Sequence, residues 1–388
     1  MSILTKKIGI IGGGQLGKMM ILEAKRLGFY VITLDPEQNC PSCSISDELI
    51  VAAFDDEEAI FELAEKVDVI TYEYEHIGVT ALEKVEKEGP AVYPSVASLK
   101  VIKDKLAQKT ALQEQQVPVP EFVKVETVED IYAVGERFQY PMMLKTTKGG
   151  YDGKGVALIH SYDNVVTAYE SLGGGSKELM VEAFVPFEME ISIIACRGID
   201  GARKIYPVAE NIHQNSILDT TMVPARISKK QMEVAQKIAD QVMEVFAGVG
   251  TFCVEMFVVG NEIYVNEVAP RPHNSGHYTI EGTWTNQFEN HIRAIVGLPL
   301  GDVSLITPTV MINLLGEIQD GRAEVLGVEE AYHQGQHLKV HIYGKKNVKV
   351  DRKMGHFTTV GDTLKEALER AEATRGLVRV VGVDHFVD

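Results

Sequence analysis

The residues best able to do chemistry fall in one short segment, Asn266-Glu267-Val268-Ala269-Pro270-Arg271-Pro272-His273-Asn274-Ser275-Gly276-His277. It joins a carboxylate, a guanidinium, two imidazoles and two amides, a mixture unsuited to a core. Pro270 and Pro272 disfavour helix, and the apolar, β-branched run from Ile263 reads as a strand leading into the segment. A strand that ends and then spreads polar groups over a cleft is how a rigid scaffold presents a site; a polar surface loop is the plainer alternative. Upstream, Thr251 to Val259 reads as a strand, Gly260-Asn261-Glu262 as a connection and Ile263 to Val268 as the antiparallel partner. A three-residue connection sets Glu255 opposite Glu267 on one face, whereas a two-residue turn sets them on opposite faces. Facing carboxylates suit Mg²⁺ held by oxygen ligands and substrate phosphates; two solvated acids on a half-exposed hairpin are the alternative.

Phosphate in a chain of net charge −17 must be met by local clusters. Lys148-Gly149-Gly150-Tyr151-Asp152-Gly153-Lys154-Gly155 places four glycines and two lysines between two expected strands. Its N–H and ammonium groups suit a hairpin that closes over phosphates, although an ordinary mobile hairpin has the same composition. It is not a P-loop, because GxxxxGK[ST] is absent. Lys145 ends the apolar run Tyr140 to Lys145, and a lysine there needs a partner, for which a phosphate is one candidate. Near the N-terminus, Gly12, Gly14 and Gly17 form GxGxxG between the strand Lys6 to Ile11 and a helix over Leu16 to Leu27, and the next strand, Tyr30 to Leu34, ends at Asp35. That is the form of a dinucleotide site and predicts an NAD oxidoreductase. The same glycines serve any phosphate that approaches a helix N-terminus.

These groups need a scaffold, and 388 residues suffice for two or three domains. An αβ pattern continues through a strand near Ile50 to Ala53, a helix Asp56 to Lys66, a strand Val69 to Tyr72, a helix Leu82 to Glu88 and a strand Ala91 to Tyr93. It predicts a parallel-sheet domain closing near residue 100. Glu73, Tyr74, Glu75 and His76 follow a strand end, where ligands bind in such sheets; Glu73 and Glu75 are otherwise rim charges. A basic helical segment, Lys100 to Gln116, carries Lys103 and Lys105 to a boundary at Val117-Pro118-Val119-Pro120. Helices over Thr127 to Arg137, Asn164 to Leu172 and Ser228 to Phe246 are expected, the last with Ala235, Ile238, Ala239, Val242 and Phe246 on one face. Strands over Leu179 to Glu182 and Met189 to Cys196 flank Glu182-Ala183-Phe184-Val185 and Glu190, either an adenine and ribose edge or a core strand with rim acids. Glu210 to His213 and Leu218 to Pro224 read as further strand or loop, and Trp284 as packing. From about Pro299 short strands follow, Val310 to Leu314, Leu338 to Tyr343 and Asn347 to Val350. Lys345 and Arg352 there sit in basic, glycine-flanked loops that suit a phosphate clamp, or a solvated turn; a helix over Thr363 to Glu372 ends the pattern.

The acidic charge argues against a nucleic-acid or anionic-membrane partner. No apolar run reaches the ~18 residues of a membrane span, and the Ile8 to Ile11 run stops at glycines rather than a cleavage site, so a cytoplasmic protein is expected. Cys40 and Cys43 have CxxC spacing with no second pair, which favours reduced thiols over zinc; Cys196 and Cys253 complete the set.

Gly13-Gly14-Gln15-Leu16-Gly17, the 149–155 loop, the 266–277 segment and His341-Ile342-Tyr343-Gly344-Lys345 closely resemble the N5-carboxyaminoimidazole ribonucleotide synthetases of purine synthesis, members of the ATP-grasp superfamily. The resemblance covers nearly the whole chain. It implies an α/β and α+β architecture: a Rossmann-like pre-ATP-grasp domain over 1–103, an ATP-grasp domain over 104–298 and a small β-rich domain over 299–388. It also implies a homodimeric ligase that uses ATP, Mg²⁺ and bicarbonate to carboxylate 5-aminoimidazole ribonucleotide through carboxyphosphate. Carried over by position, Glu255 and Glu267 hold Mg²⁺, with Asn266 or water completing the shell because Ala269 stands where many relatives of the superfamily have asparagine. Lys105 and Lys145 contact phosphates, and Gly150, Tyr151, Asp152, Gly153, Lys154, Gly155 and Val156 form the lid. Glu182, Ala183, Phe184, Val185 and Glu190 frame adenine and ribose with His213 nearby. Arg271, His273 and Asn274 hold bicarbonate; Gln15, Leu16, Glu73, Tyr151 and Asp152 place the ribonucleotide, and Lys345 and Arg352 grip its phosphate. A different carboxylate-amine ligase, the NAD enzyme and a non-catalytic binding module are the competing readings.

Overall fold

The computed structural model describes residues 3–150 and 153–384. From the N-terminus, β1 (Lys7–Ile11) enters the glycine turn and α1 (Gln15–Arg26), followed by β2 (Tyr30–Asp35), β3 (Glu48–Val51), α2 (Glu57–Lys66), β4 (Val69–Tyr72), α3 (Val79–Glu88) and β5 (Ala91–Val92). The strands pair in parallel in the order β3-β2-β1-β4-β5. β1, β2 and β4 are buried on almost every residue, so they read as short unbroken apolar runs.

The helix expected over 100–116 is two helices, α4 (Val96–Ile102) and α5 (Lys105–Glu114). The Asp104 carboxylate accepts from the Leu106 and Ala107 N–H groups at 3.0 and 3.1 Å and so starts a new helix. That cap fixes the phase of α5 and brings Lys105 and Lys109 onto one face, one turn apart. A second sheet then forms from β6 (Phe122–Val125), β7 (Met142–Thr146), β8 (Val156–Ile159) and β9 (Leu179–Ala183), with α6 (Val128–Phe138) and α7 (Val165–Ser171) packed on it. Its order is β6-β9-β7-β8, antiparallel throughout. The glycine loop joins β7 to β8, and Gly149, Gly150, Gly153 and Gly155 all hold positive φ, 72° to 81°, a conformation glycine adopts without strain.

The third sheet uses β10 (Met189–Arg197), β11 (Arg203–Ile205), β12 (Ala209–Gln214), β13 (Ile217–Val223), β14 (Gly250–Val259) and β15 (Glu262–Ala269), with α8 (Lys229–Phe246) crossing between β13 and β14. The predicted face of α8 is buried, joined by Met243. Past α9 (Thr279–Gly282) and α10 (Gln287–Val296) the chain adds β16 (Thr309–Glu317), β17 (Gly321–Leu326), α11 (Val328–Gln334), β18 (Leu338–Ile342), β19 (Asn347–Val348), β20 (Lys353–Val360), α12 (Leu364–Thr374) and β21 (Arg379–Val383). β16 pairs antiparallel with β13, so one sheet runs on from the central strands into those after 299. Three expectations change here. The basic loop at Arg352 gives way at once to a strand from Lys353, α12 is followed by β21, and β17 and α11 are additional. Trp284 is 69% exposed, so it does not pack. Among the described residues no helix is long and apolar enough to cross a membrane.

Candidate active site

β14 and β15 set the two acids face to face, by a route different from the expected one. Val259 pairs with Glu262, so the turn is only the two residues Gly260 and Asn261, and that register alone would oppose Glu255 to Asn266. A bulge between Glu255 and Met256 leaves Asn266 as the extra residue and restores the pair Glu255↔Glu267. A bulge shifts every residue beyond it by one position. Burial, reinforced by the Glu267 carboxylate, pushes Glu255 up to about 7. Two partly exposed acids held face to face suit a divalent cation, which would relieve their mutual repulsion. Among the described residues no cluster of three or more His, Cys, Asp or Glu is placed to hold a metal. The two carboxylates that would hold an ion here leave the rest of its shell to substrate oxygens and water, as Mg²⁺ commonly accepts.

Lysines crowd the same face. Lys105 Nζ lies 2.6 Å from Glu267 Oε2. Lys145, expected to seek a phosphate, meets Glu182 Oε1 at 3.1 Å, and Lys109 meets Glu182 Oε2 at 3.0 Å. Glu182 is 2% exposed, so its carboxylate is enclosed between ammonium groups rather than open at an adenine edge. Burial works against its charge, but Lys109 and then Lys145 outweigh it and hold the group below the usual carboxylate range. The next residues along the edge, Ala183, Phe184 and Val185, are partly or well exposed. Glu190 pairs with His213 Nδ1; burial opposes the imidazolium, yet the Glu190 hydrogen bond and charge leave His213 raised. Tyr151 and Asp152 lie outside the described residues, while Gly153, Lys154, Gly155 and Val156 lead from the loop into β8.

Beyond β15 the chain turns across the sheet end. Arg271 Nε pairs with Glu75 Oε1 at 2.8 Å, which makes Glu75 an anchor rather than a rim charge. His273 Nε2 stands 3.6 Å from Glu255 Oε1; burial, then the Arg271 charge, drive its pKa well down. Asn274 is 9% exposed, and both its amide atoms are buried with no hydrogen-bond partner. A buried primary amide without partners is costly and marks a place shaped for a polar ligand.

The N-terminal glycine turn is filled from within the protein. Gly13 N–H donates to Asp35 Oδ2 at 2.7 Å, Gly17 N–H to Glu73 Oε2 at 2.6 Å, and Gly14 N–H to Glu73 Oε1. A pyrophosphate needs those same amides, so the dinucleotide reading fails on geometry. Burial raises Glu73 against the pull of these bonds. Lys345 reaches this corner from the C-terminal strands; burial first, then Arg352, lower it to about 8 while Glu73 opposes the shift. Its Nζ donates to the Lys353 carbonyl at 2.7 Å, and Arg352 Nη1 to the Asn347 carbonyl at 3.2 Å. Lys18 Nζ ties the same segment to α1 through the Tyr343 carbonyl at 2.9 Å. Gln15 opens α1, whereas the Leu16 side chain is 7% exposed inside the core, so only its main chain can meet a ligand. A Cβ at Gly17 would fall 2.2 Å from the Gly12 carbonyl oxygen. Gly17→Ala is therefore expected to destabilise the protein by about 1–3 kcal/mol, read as a lower thermal midpoint; an unchanged midpoint would contradict this packing of the turn.

Comparison with known proteins gives a concordant result. The ribonucleotide synthetase preATP-grasp domain family matches residues 5–103, the ATP-grasp domain family 110–288, and the phosphoribosylaminoimidazole carboxylase C-terminal domain family 309–370. An N5-carboxyaminoimidazole ribonucleotide synthase of Staphylococcus epidermidis is 41% identical over 363 residues, 92% of this chain and 93% of its own length. The chain belongs to the N5-carboxyaminoimidazole ribonucleotide synthase family. Among solved structures, the synthetase of Thermotoga maritima aligns with a TM-score of 0.89 at 45% identity, covering 98% of this chain and 100% of that one. The Aspergillus clavatus synthase in complex with ADP and 5-aminoimidazole ribonucleotide aligns with a TM-score of 0.89 at 33% identity, covering 96% and 98%.

The synthase family membership makes the chain an ATP-grasp ligase, and the structure places beside the expected site residues others that the sequence reading passed over. Lys109 is one; its signal was present, four residues after Lys105 on the same helix face. Ser192 and Ser275, buried behind His273, are two more. Small hydroxyl residues in strands and short turns carry no sequence signal that separates them from packing.

Proposed function

We infer that this chain performs the reaction of its family, the ATP-dependent carboxylation of 5-aminoimidazole ribonucleotide to N5-carboxyaminoimidazole ribonucleotide in purine biosynthesis, with bicarbonate as the carbon source. The observation that carries the reading is the unpartnered, buried Asn274 amide next in sequence to His273, whose Nε2 stands 3.6 Å from Glu255 of the facing pair Glu255 and Glu267. An anion seated there lies next to a place for nucleotide phosphates. In this reading the unit 104–298 holds ATP, while 1–103 and 299–388 together hold the ribonucleotide. The working protein is a cytoplasmic homodimer.

Glu255 and Glu267 would hold Mg²⁺, which supplies charge neutralisation on the ATP phosphates. Lys105 and Lys145 add positive charge on the same face, the lid from Gly150 to Val156 covers the phosphates, and the edge from Ala183 to Val185 with Glu190 and His213 receives the nucleoside. Arg271 orients bicarbonate so that one oxygen attacks the γ-phosphorus as the bond to ADP breaks, giving carboxyphosphate. Phosphoryl transfer of this kind depends chiefly on alignment and charge balance. With water excluded by the lid, the carboxyphosphate C–O bond breaks and releases CO₂ and phosphate. The exocyclic amine of the ribonucleotide, placed by Gln15, Glu73, Tyr151 and Asp152 and gripped at its phosphate by Lys345 and Arg352, then forms its bond to the CO₂ carbon and loses a proton.

The test is ADP release by purified protein with ATP, Mg²⁺ and bicarbonate, with and without 5-aminoimidazole ribonucleotide. Strong stimulation by the ribonucleotide is expected. Full activity with an amino acid in its place would favour a different carboxylate-amine ligase.

A further inference from the structure

His273 is held from behind by a line of buried groups that the reaction scheme above does not use. It caps the short helical turn Asn274–Gly276, where the Ser275 N–H donates to His273 Nδ1 at 3.3 Å. Ser275 Oγ lies 2.9 Å from the same nitrogen. Behind it, Ser192 Oγ donates to Ser275 Oγ at 2.8 Å, Asn211 Nδ2 donates to Ser192 Oγ at 2.8 Å, and Thr221 Oγ1 donates to Asn211 Oδ1 at 2.9 Å. Cys253 Sγ stands 3.6 Å from Ser275 Oγ on another side. All four polar residues of the line are at most 6% exposed, and they stand on β10, β12, β13 and the turn, so the sheet fixes their order.

The direction of the line follows from donors that have no choice. A main-chain N–H only donates, so the Nδ1 that faces it is an acceptor. The Asn211 amide donates to Ser192, leaving the Ser192 proton for Ser275 and the Ser275 proton for Nδ1. A neutral imidazole with two donors on Nδ1 carries its own hydrogen on Nε2, the nitrogen that faces Glu255 and the catalytic face.

We propose that Ser275, backed by Ser192 and Asn211, is a positioning residue that fixes His273 as the Nε2–H tautomer and so makes it a hydrogen-bond donor to the bicarbonate-derived anion rather than a base. This rests on the reading that His273 lines the bicarbonate subsite. A base at this point would need a lone pair on Nε2, and the only lone pair of this tautomer is turned inward onto Ser275. The proton lost by the amine therefore goes to another acceptor.

The experiment is nitrogen NMR of the full chain carrying isotope-labelled histidine, with the His273 ring signals identified by their loss in His273→Gln. The protein is expected to show the Nε2–H pattern. Ser275→Ala, which removes one of the two donors with little change of shape, is expected to shift the ring signals toward a mixture of tautomers. It should also lower kcat for ribonucleotide-dependent ADP formation about tenfold, as small misplacements at reacting centres do, with KM for ATP unchanged. Ser192→Ala, which does not touch His273, should move both readouts in the same direction by less. An Nδ1–H pattern in the unaltered protein overturns the proposal, and so do unchanged ring signals and rate in Ser275→Ala. A purely packing role would lower the thermal midpoint without moving the ring signals. Wild-type rates in His273→Gln would instead remove His273 from the subsite and defeat the underlying reading, whatever tautomer the ring adopts.

Discussion

Glu267→Gln is expected to lower ADP formation by about a thousandfold or more, since metal stabilisation of a transferring phosphoryl group is worth several kcal/mol and about 1.4 kcal/mol is tenfold in rate. Glu267 joins both charge systems of the site. It faces Glu255 directly across the hairpin and bonds the Lys105 ammonium at 2.6 Å. The amide keeps the shape and one acceptor oxygen but removes the charge that a cation needs. It also leaves Lys105 without its counter-charge while relieving the repulsion on Glu255, so the two effects on stability oppose each other. The loss should therefore appear in turnover with the protein still folded by circular dichroism. A folded variant that releases ADP at the parent rate would show that this carboxylate holds no metal.

Much of the scaffold was legible because its signals are local. The parallel layer announced itself through short apolar runs separated by helical patterns, and Asp56, Thr127 and Ser228 start helices by side-chain caps that a sequence displays openly. What fills a motif is another matter. The turn Gly12 to Gly17 has the backbone geometry of a phosphate site, but Asp35 and Glu73 occupy its amides, and a glycine pattern specifies the cradle without naming the anion. The opposition of Glu255 and Glu267 came out as expected through two departures that cancel, a turn shorter by one residue and a bulge longer by one at Asn266. Counting residues in a connection registers the first and is blind to the second. The C-terminal strands were harder still. β17 alternates exposed charge with partly buried residues, and its pairing with β21 is fixed by distant chain. Arg271 with Glu75 and Lys109 with Glu182 are likewise pairs made by the fold, so Glu75 read equally well as a rim charge, Glu182 as a nucleotide edge or rim acid, and Lys109 drew no reading of its own.

The second large effect is expected at Glu182. Glu182→Gln should destabilise the protein by about 3–5 kcal/mol, the range found when one partner of a buried ion pair is removed. The Lys109 and Glu182 side chains are 3% and 2% exposed and Lys145 is 12% exposed, so water cannot replace the missing charge. Lys109 already has its pKa lowered, chiefly by burial, with Glu182 opposing that shift. Without the carboxylate it falls further, and the ammonium sheds its proton in the folded state at a pH where the unfolded chain keeps it. The unfolded state then binds more protons, so stability of the variant rises with pH. The deficit relative to the parent should be widest just above the ordinary carboxylate range, where Glu182 is charged in the parent, and should narrow both as pH rises toward the ordinary lysine range and as acid protonates Glu182. Lys109→Met added to Glu182→Gln removes one of the two stranded charges and should recover part of the loss. Urea unfolding of the parent and both variants across pH measures all three. A deficit that is the same at every pH, or one that deepens when Lys109→Met is added, would mean that the cost lies in packing rather than in uncompensated charge. In that case the contacts of Glu182 with Lys109 and Lys145 would fix the geometry of this corner by shape rather than by charge.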